Sequence, residues 1–110
     1  MPKLIEMPVD TEKSFAEIYE MFVVAQTAKG VTDATLRNYH YHMRRIAKHL
    51  DISQPMSQIT KRDLERAVLE MRNAGIKHNS IATYVRLLKT FLNWCNREEL
   101  LRGGQPVPER

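Results

Sequence analysis

The sequence predicts an all-α protein, a compact bundle of four helices or at most five. Three observations lead to this fold class. Apolar residues recur at helical spacing in four stretches, and no stretch shows the period-2 alternation of a half-buried strand. Serine or threonine precedes several of these stretches, and glycine follows two of them, as expected at helix ends. A chain of 110 residues suits one such domain.

The first predicted helix opens at the sequence SFAE. Ser14 can cap it while Glu17, three residues later, reaches back to the cap, which together make a capping box. Phe15, Ile18, Tyr19 and Phe22 supply the apolar face. Gly30 then ends the helix.

The second predicted helix begins at Thr32 and runs to about Leu50. Asp33 lies in its first turn, where an acid complements the helix dipole. At about 100° per residue, one side of this helix is apolar and faces the core. Its core side comprises Leu36, Tyr39, Met43, Ile46, Ala47 and Leu50. Its outward side comprises Arg37, Tyr41, Arg44, Arg45 and Lys48, with Asn38 at the edge.

A loop, DISQPMSQI, follows, in which Pro55 prevents the helix from continuing. The third predicted helix starts with Thr60 as its cap and Asp63 three residues later, and Gly75 stops it. Its inward face would comprise Leu64, Ala67, Val68 and Met71.

The fourth predicted helix takes Asn79 or Ser80 as its cap and extends to about Arg97. Its inward residues are Ile81, Tyr84, Val85, Leu88, Phe91, Leu92 and Cys95. Its outward residues are Arg86, Lys89, Thr90, Asn93 and Arg97, with Thr83 near the N-terminal edge. The second and fourth helices therefore share one design, with an apolar side within and a basic, amide- and hydroxyl-bearing side without.

The remaining segments set the domain boundaries. Residues 1–13 are expected to form a flexible tail, residues 14–101 the folded domain, and residues 102–110, rich in glycine and proline, a linker. The single cysteine, Cys95, excludes an internal disulfide and fits a reducing compartment. Because no apolar run approaches the ~20 residues of a membrane span and no secretory signal is evident, a cytoplasmic protein is expected.

Charge is unevenly distributed along the chain. The net charge is +4, with a balance of −2 over residues 1–30 and +6 over residues 31–110. No acid lies between Asp33 and Asp51, nor between Glu70 and Glu98. Such long acid-free windows favour a polyanionic partner. The alternative is a basic face that serves only solubility.

Metal-binding and catalytic sites are not predicted. His40 and His42 are two residues apart, about 200° around a helix, so both cannot bind one ion. Cys95 falls on an apolar side, where cysteine is usually inert, and no glycine-rich phosphate loop is present. No cofactor is expected. Among the histidines, His78, next to a helix start, is the best placed to touch a phosphate.

Double-stranded DNA is the partner that the two basic faces favour. Arginine and lysine neutralise phosphates, while arginine, asparagine and threonine can also read base edges in a major groove wide enough for a helix. The alternative function is a helical interaction domain whose basic face docks an acidic protein, which would require charge alone.

The chain resembles the core-binding domain of tyrosine recombinases, the phage-integrase family, over about residues 14–101. The matching positions are Thr35, Leu36 and Tyr39 in the second helix, Ile59, Thr60 and Asp63 at the third, and Ser80, Ile81, Phe91 and Trp94 in the fourth. The resemblance implies a SAM-like bundle that packs on one face of a recombination site. A C-terminal catalytic domain of the same parent chain would pack on the other face, forming a clamp, and copies could associate on the DNA. No strand-cleaving activity is expected of this chain, since nothing after Arg110 supplies the catalytic residues.

Thirteen residues are predicted to face DNA. The resemblance and the helical positions together give Thr35, Arg37, Tyr41, Arg44, Arg45, Lys48, Lys77, His78, Asn79, Thr83, Arg86, Lys89 and Thr90.

Overall fold

A computed structural model describes residues 13–98, which fold into four α-helices. These are α1 (Phe15–Ala28), α2 (Asp33–Ile46), α3 (Lys61–Asn73) and α4 (His78–Arg97), with a short 3-10 helix, Met56–Gln58, between α2 and α3. Within residues 13–98 the one strand-like pairing is an isolated bridge between Ser14 and Pro55. The predicted all-α architecture is confirmed. Nearly all of the predicted N-terminal tail and the whole C-terminal linker lie outside the described residues.

Two predicted capping boxes are present. The backbone N–H of Glu17 donates to Ser14 Oγ at 3.0 Å, and the N–H of Ser14 donates to Glu17 Oε1 at 2.8 Å. At α3, the N–H of Asp63 donates to Thr60 Oγ1 at 3.2 Å, and the N–H of Thr60 donates to Asp63 Oδ2 at 3.0 Å. Thr32, where the sequence places the start of the second helix, is the cap of α2. These bonds satisfy N–H groups that a helix start leaves without partners.

Glycine ends α1 and α3, as the sequence predicts. Gly30 has φ of 94° and Gly75 has φ of 84°. This left-handed backbone is readily adopted by glycine, and it lets the chain leave the helix sharply.

The second helix is shorter than predicted. It ends at Ile46, four residues before Leu50, because the chain tightens into a turn in which Lys48 N–H donates to Arg45 O and His49 N–H donates to Ile46 O. The turn still buries Leu50, which is 4% exposed. Lys48, which was predicted to lie on the outward side of the second helix, is therefore an exposed turn residue.

The predicted cap of α4 is wrong. The cap is Lys77, which makes no side-chain capping bond, and Asn79 and Ser80 lie inside the first turn. Ile76, which follows the turn at Gly75, packs against the core. Lys77 has extended backbone and is the one residue between Ile76 and the start of α4 at His78. A capping bond contributes only about 1 kcal/mol, so packing on either side of the turn can override the local preference.

The core lies around α4, which contacts each of the other three helices. Its Phe91 ring meets those of Phe15, Phe22 and Tyr19 with centroids 5.0, 5.4 and 5.7 Å apart. Trp94 adds a further edge contact with Phe22 at 5.6 Å. This aromatic cluster joins α1 to α4.

Most residues predicted to face inward do so, and two differences stand out. Leu87 joins Trp94 among the buried residues of α4, which widens its apolar side towards α1. Leu36 is only half-buried and lies outside the core cluster, because α2 contributes core residues only from Tyr39 onward.

Candidate nucleic-acid interface

The predicted DNA-facing residues lie at the surface. Eleven are exposed: Arg37, Tyr41, Arg44, Arg45, Lys48, Lys77, His78, Asn79, Arg86, Lys89 and Thr90. Thr35 and Thr83 are half-buried. The helical periodicity therefore oriented α2 and α4 correctly with respect to solvent.

None of these cations pairs with an acid within the described part of the chain. The ion pairs between residues 13 and 98 join His49 to Glu70 at 3.4 Å and Arg66 to Asp63 at 3.2 Å, and both use acids of α3. Beyond Asp33, α2 and α4 carry no acidic residue. The positive charge of the two helices is thus left for an external anion.

Tyr41, His42 and Arg45 form a cluster on α2, and His42 packs on Tyr84 of α4. Arg45 donates a hydrogen bond to the Tyr41 hydroxyl at 2.8 Å, and its guanidinium carbon is 5.0 Å from the Tyr41 ring centroid. The His42 ring lies 5.5 Å from both Tyr41 and Tyr84. The structure therefore brings two of the predicted residues, Tyr41 and Arg45, into direct contact.

Two pKa shifts follow from this arrangement. The hydrogen bond to Tyr41 raises the pKa of Arg45, and the charges of Tyr41 and Tyr84 add to the effect. Burial lowers the pKa of His42 below 6.5, since the charged imidazolium is less well solvated there. The His42 Nδ1 atom is itself buried without a hydrogen-bond partner.

A shallow groove between α3 and α4 is lined by further basic residues. His78, Arg86 and Lys89 line it with Arg72 of α3. Its floor is apolar and consists of Ile81, Ala82 and Val85. Sequence reasoning missed Arg72, although its position in an acid-free window was a usable signal.

Arg44 lies on the side of α2 that faces α1. It lines a groove between α1 and α2 together with Tyr19, Glu20 and His40. The His40 ring is half-buried and stands edge-on to Tyr19 at 5.8 Å. Arg44 and Arg45 therefore face different neighbours, although they are adjacent in sequence.

The two half-buried threonines use their hydroxyls locally. Thr83 Oγ1 donates to the carbonyl of Asn79 at 3.0 Å, and Thr35 Oγ1 accepts from Thr32 Oγ1 at 3.0 Å. The hydroxyl of Thr83 can still accept a hydrogen bond, but its proton is already engaged.

Other classes of site have little support in the described residues. Cys95 is fully buried, and burial raises the pKa of its thiol to about 12, which keeps it protonated. Between residues 13 and 98 no three His, Cys, Asp or Glu side chains are grouped as metal ligands. No helix in that range combines the length and apolarity needed to cross a membrane.

Comparison with known families identifies the fold. The family model described as phage integrase, N-terminal SAM-like domain, matches residues 25–99, more than half of the chain. That domain is the non-catalytic N-terminal part of integrases. Searches among curated proteins and among solved structures each gave no significant match. The chain therefore belongs to the N-terminal SAM-like domains of phage integrases, the core-binding domains of tyrosine recombinases.

Proposed function

We propose that this protein binds double-stranded DNA as the core-binding half of a site-specific recombinase clamp. The observation that carries the proposal is the unpaired positive charge of α2 and α4, two adjoining helices that have no acid beyond Asp33. A DNA duplex is a dense polyanion, and cations without internal partners can neutralise its phosphates at no cost in lost ion pairs. The family membership supports a role in recombination.

The residues of the interface divide by chemistry. Arg37, Arg86 and Lys89 are exposed cations suited to phosphate contacts. Asn79 and Thr90 are exposed and neutral, and they suit contacts to base edges or to the sugar–phosphate backbone. The remaining predicted residues complete the surface, and Arg72 extends it towards α3.

The proposed clamp needs a second half. We assign residues 14–101 to the binding domain and expect strand cleavage to reside in a separate catalytic domain of the parent protein. Other copies bound to the same recombination site are further candidate partners. Such a complex would act where cellular DNA is accessible, in the cytoplasm.

The groove between α3 and α4 supports a second candidate function, the docking of an acidic protein. Its cationic rim and its apolar floor of Ile81, Ala82 and Val85 suit an amphipathic acidic helix. Duplex DNA is favoured over this alternative because exposed cations also extend along α2, outside the groove.

Salt titration of duplex binding tests the proposal. We expect the log of the association constant to fall with log salt at a slope of about −3 to −6, which corresponds to roughly 4–6 phosphate contacts at ~0.9 each. Arg86→Ala should weaken binding about tenfold and make the slope less steep by about 0.9. Arg62→Ala, which removes another exposed arginine in the first turn of α3, is the matched control and should change neither quantity appreciably.

In thermal unfolding, the free energy of unfolding of both variants should match that of the unmodified chain within about 0.5 kcal/mol, since both side chains are exposed. Undetectable duplex binding at ~50 mM salt would contradict the proposal. Binding to an acidic helical peptide in the absence of duplex binding would favour the alternative function.

A further inference from the structure

Arg45 differs from the other cations of α2 in being held by a second side chain. Its guanidinium donates to the Tyr41 hydroxyl at 2.8 Å and lies 5.0 Å from the centre of the ring. Within the described residues, Arg37, Arg44 and Lys48 make no side-chain hydrogen bond, ion pair or ring contact. One arginine of the surface is therefore fixed in direction, whereas its neighbours are not.

Tyr41, which accepts the hydrogen bond from Arg45, packs against further rings. The Tyr41 ring stands edge-on to His42 at 5.5 Å, and the His42 ring packs at 5.5 Å on Tyr84. Tyr84 belongs to the core and is only 7% exposed. Three rings in contact thus lead from the exposed phenol of Tyr41 to the buried side of α4.

The pair retains free hydrogen-bond donors. The phenol oxygen of Tyr41 accepts from Arg45, so its own O–H proton can be donated to another group. Arg45 uses one of its five N–H donors for this bond and keeps the others. Both residues are exposed, and no carboxylate of the described chain pairs with Arg45.

A phosphodiester is the ligand that matches these donors. Its two unesterified oxygens carry a negative charge and accept hydrogen bonds from donors that converge on them. An arginine that is already oriented loses less side-chain entropy on binding than one that must first be ordered. Tyrosine adds a neutral donor beside the cation.

From this geometry we propose that Tyr41 and Arg45 form a preassembled clamp for one phosphate of the DNA backbone. Arg45 supplies the charge, and Tyr41 is a positioning residue that also donates its hydroxyl proton to the phosphate. The inference rests on the proposed DNA-binding function and deepens it, because it separates one phosphate contact from the contacts that read sequence.

A double-mutant cycle on the 110-residue chain tests the clamp, with a labelled mixed-sequence duplex as the probe. Tyr41→Phe keeps the ring and its packing on His42 but removes the hydroxyl. We expect it to weaken binding about three- to tenfold, as for the loss of hydrogen bonds near a charge, and to leave the salt slope unchanged. Arg45→Ala should weaken binding about tenfold and make the slope less steep by about 0.9.

The double variant carries the decisive comparison. Because Tyr41 acts partly through Arg45, the combined loss of affinity in Tyr41→Phe/Arg45→Ala should be smaller than the product of the two single losses. Tyr41→Phe/Arg37→Ala is the matched control, because Arg37 is an exposed arginine of the same helix without such a partner. Its two effects should multiply. Arg45→Lys should keep the salt slope yet lose affinity, since lysine lacks the planar fork of donors.

Full duplex affinity in Tyr41→Phe, or multiplicative losses of affinity in the Tyr41→Phe/Arg45→Ala variant, would refute the Tyr41–Arg45 phosphate site. Either result would leave the proposed DNA binding intact. Failure of the unmodified chain to bind the duplex would instead overturn the proposed function itself. Circular dichroism of each variant should be unchanged, because both side chains lie at the surface.

Discussion

Replacing Phe91 with alanine removes the side chain at the centre of the aromatic cluster. Phe91 is fully buried, and its ring contacts three others, those of Phe15, Phe22 and Tyr19, with centroids 5.0, 5.4 and 5.7 Å away. Complete loss of a buried phenylalanine costs about 3–5 kcal/mol through lost transfer energy and the remaining cavity. Aromatic pairs add about 0.5–1.5 kcal/mol beyond their buried area, so the upper half of that range is expected.

A loss of this size is large for a small domain. Domains of this class are typically stable by about 5–15 kcal/mol, and 1 kcal/mol shifts the melting temperature by about 4–8 °C. Phe91→Ala should therefore lower the melting temperature by more than ~16 °C. The substitution also weakens the packing of α1 against α4, because the Phe91 ring of α4 contacts three rings of α1.

Urea unfolding followed by fluorescence is the assay of choice. Trp94 is the sole tryptophan of the chain and is 9% exposed beside Phe22, so its emission reports on this part of the core. Leu69→Ala is the control, since Leu69 is 57% exposed on α3 and its loss should cost under ~0.5 kcal/mol. If Phe91→Ala lost no more free energy of unfolding than Leu69→Ala, the assignment of Phe91 to the centre of the core would be refuted.

Two further predictions concern the stability of the fold. Because burial lowers the pKa of His42 below 6.5, the unfolded chain binds the proton more readily, so the His42 contribution to stability is lost as pH falls below about 6.5. In His42→Phe the urea midpoint should depend less on pH over this range. An unchanged pH profile would argue against a contribution from His42. Thr60→Ala removes the capping bond to Asp63 and should lower the free energy of unfolding by about 1 kcal/mol, measured by urea unfolding. Thr90→Ala, an exposed threonine within α4, is its control and should have a much smaller effect.

Local chemistry made several features of this protein predictable. Ser14 with Glu17 and Thr60 with Asp63 form the capping boxes that the sequence indicates, because cap and partner lie within one helical turn. The spacing of apolar residues also separated the inward from the outward sides of α2 and α4. The exposure of the predicted interface follows from that spacing alone.

The neighbours of each helix were not predictable in this way. A helical wheel gives the angle of a side chain about its own axis, but it does not say which other helix lies beside that angle. Arg44 faces the groove beside α1, whereas Arg45, its neighbour in sequence, lies close enough to Tyr84 of α4 to be influenced by it.

The sequence by itself thus determined the helices, most of their caps and the side of each that meets solvent, since these depend on residues a few positions apart. Only the tertiary structure decided that α2 stops at Ile46, that Lys77 is the cap of α4 and that Arg72 joins the basic groove. Each involves contacts between segments that are distant in the chain, because Leu50 and Ile76 pack in the core and Arg72 lies beside α4. Spacing within one helix carries no information about such contacts.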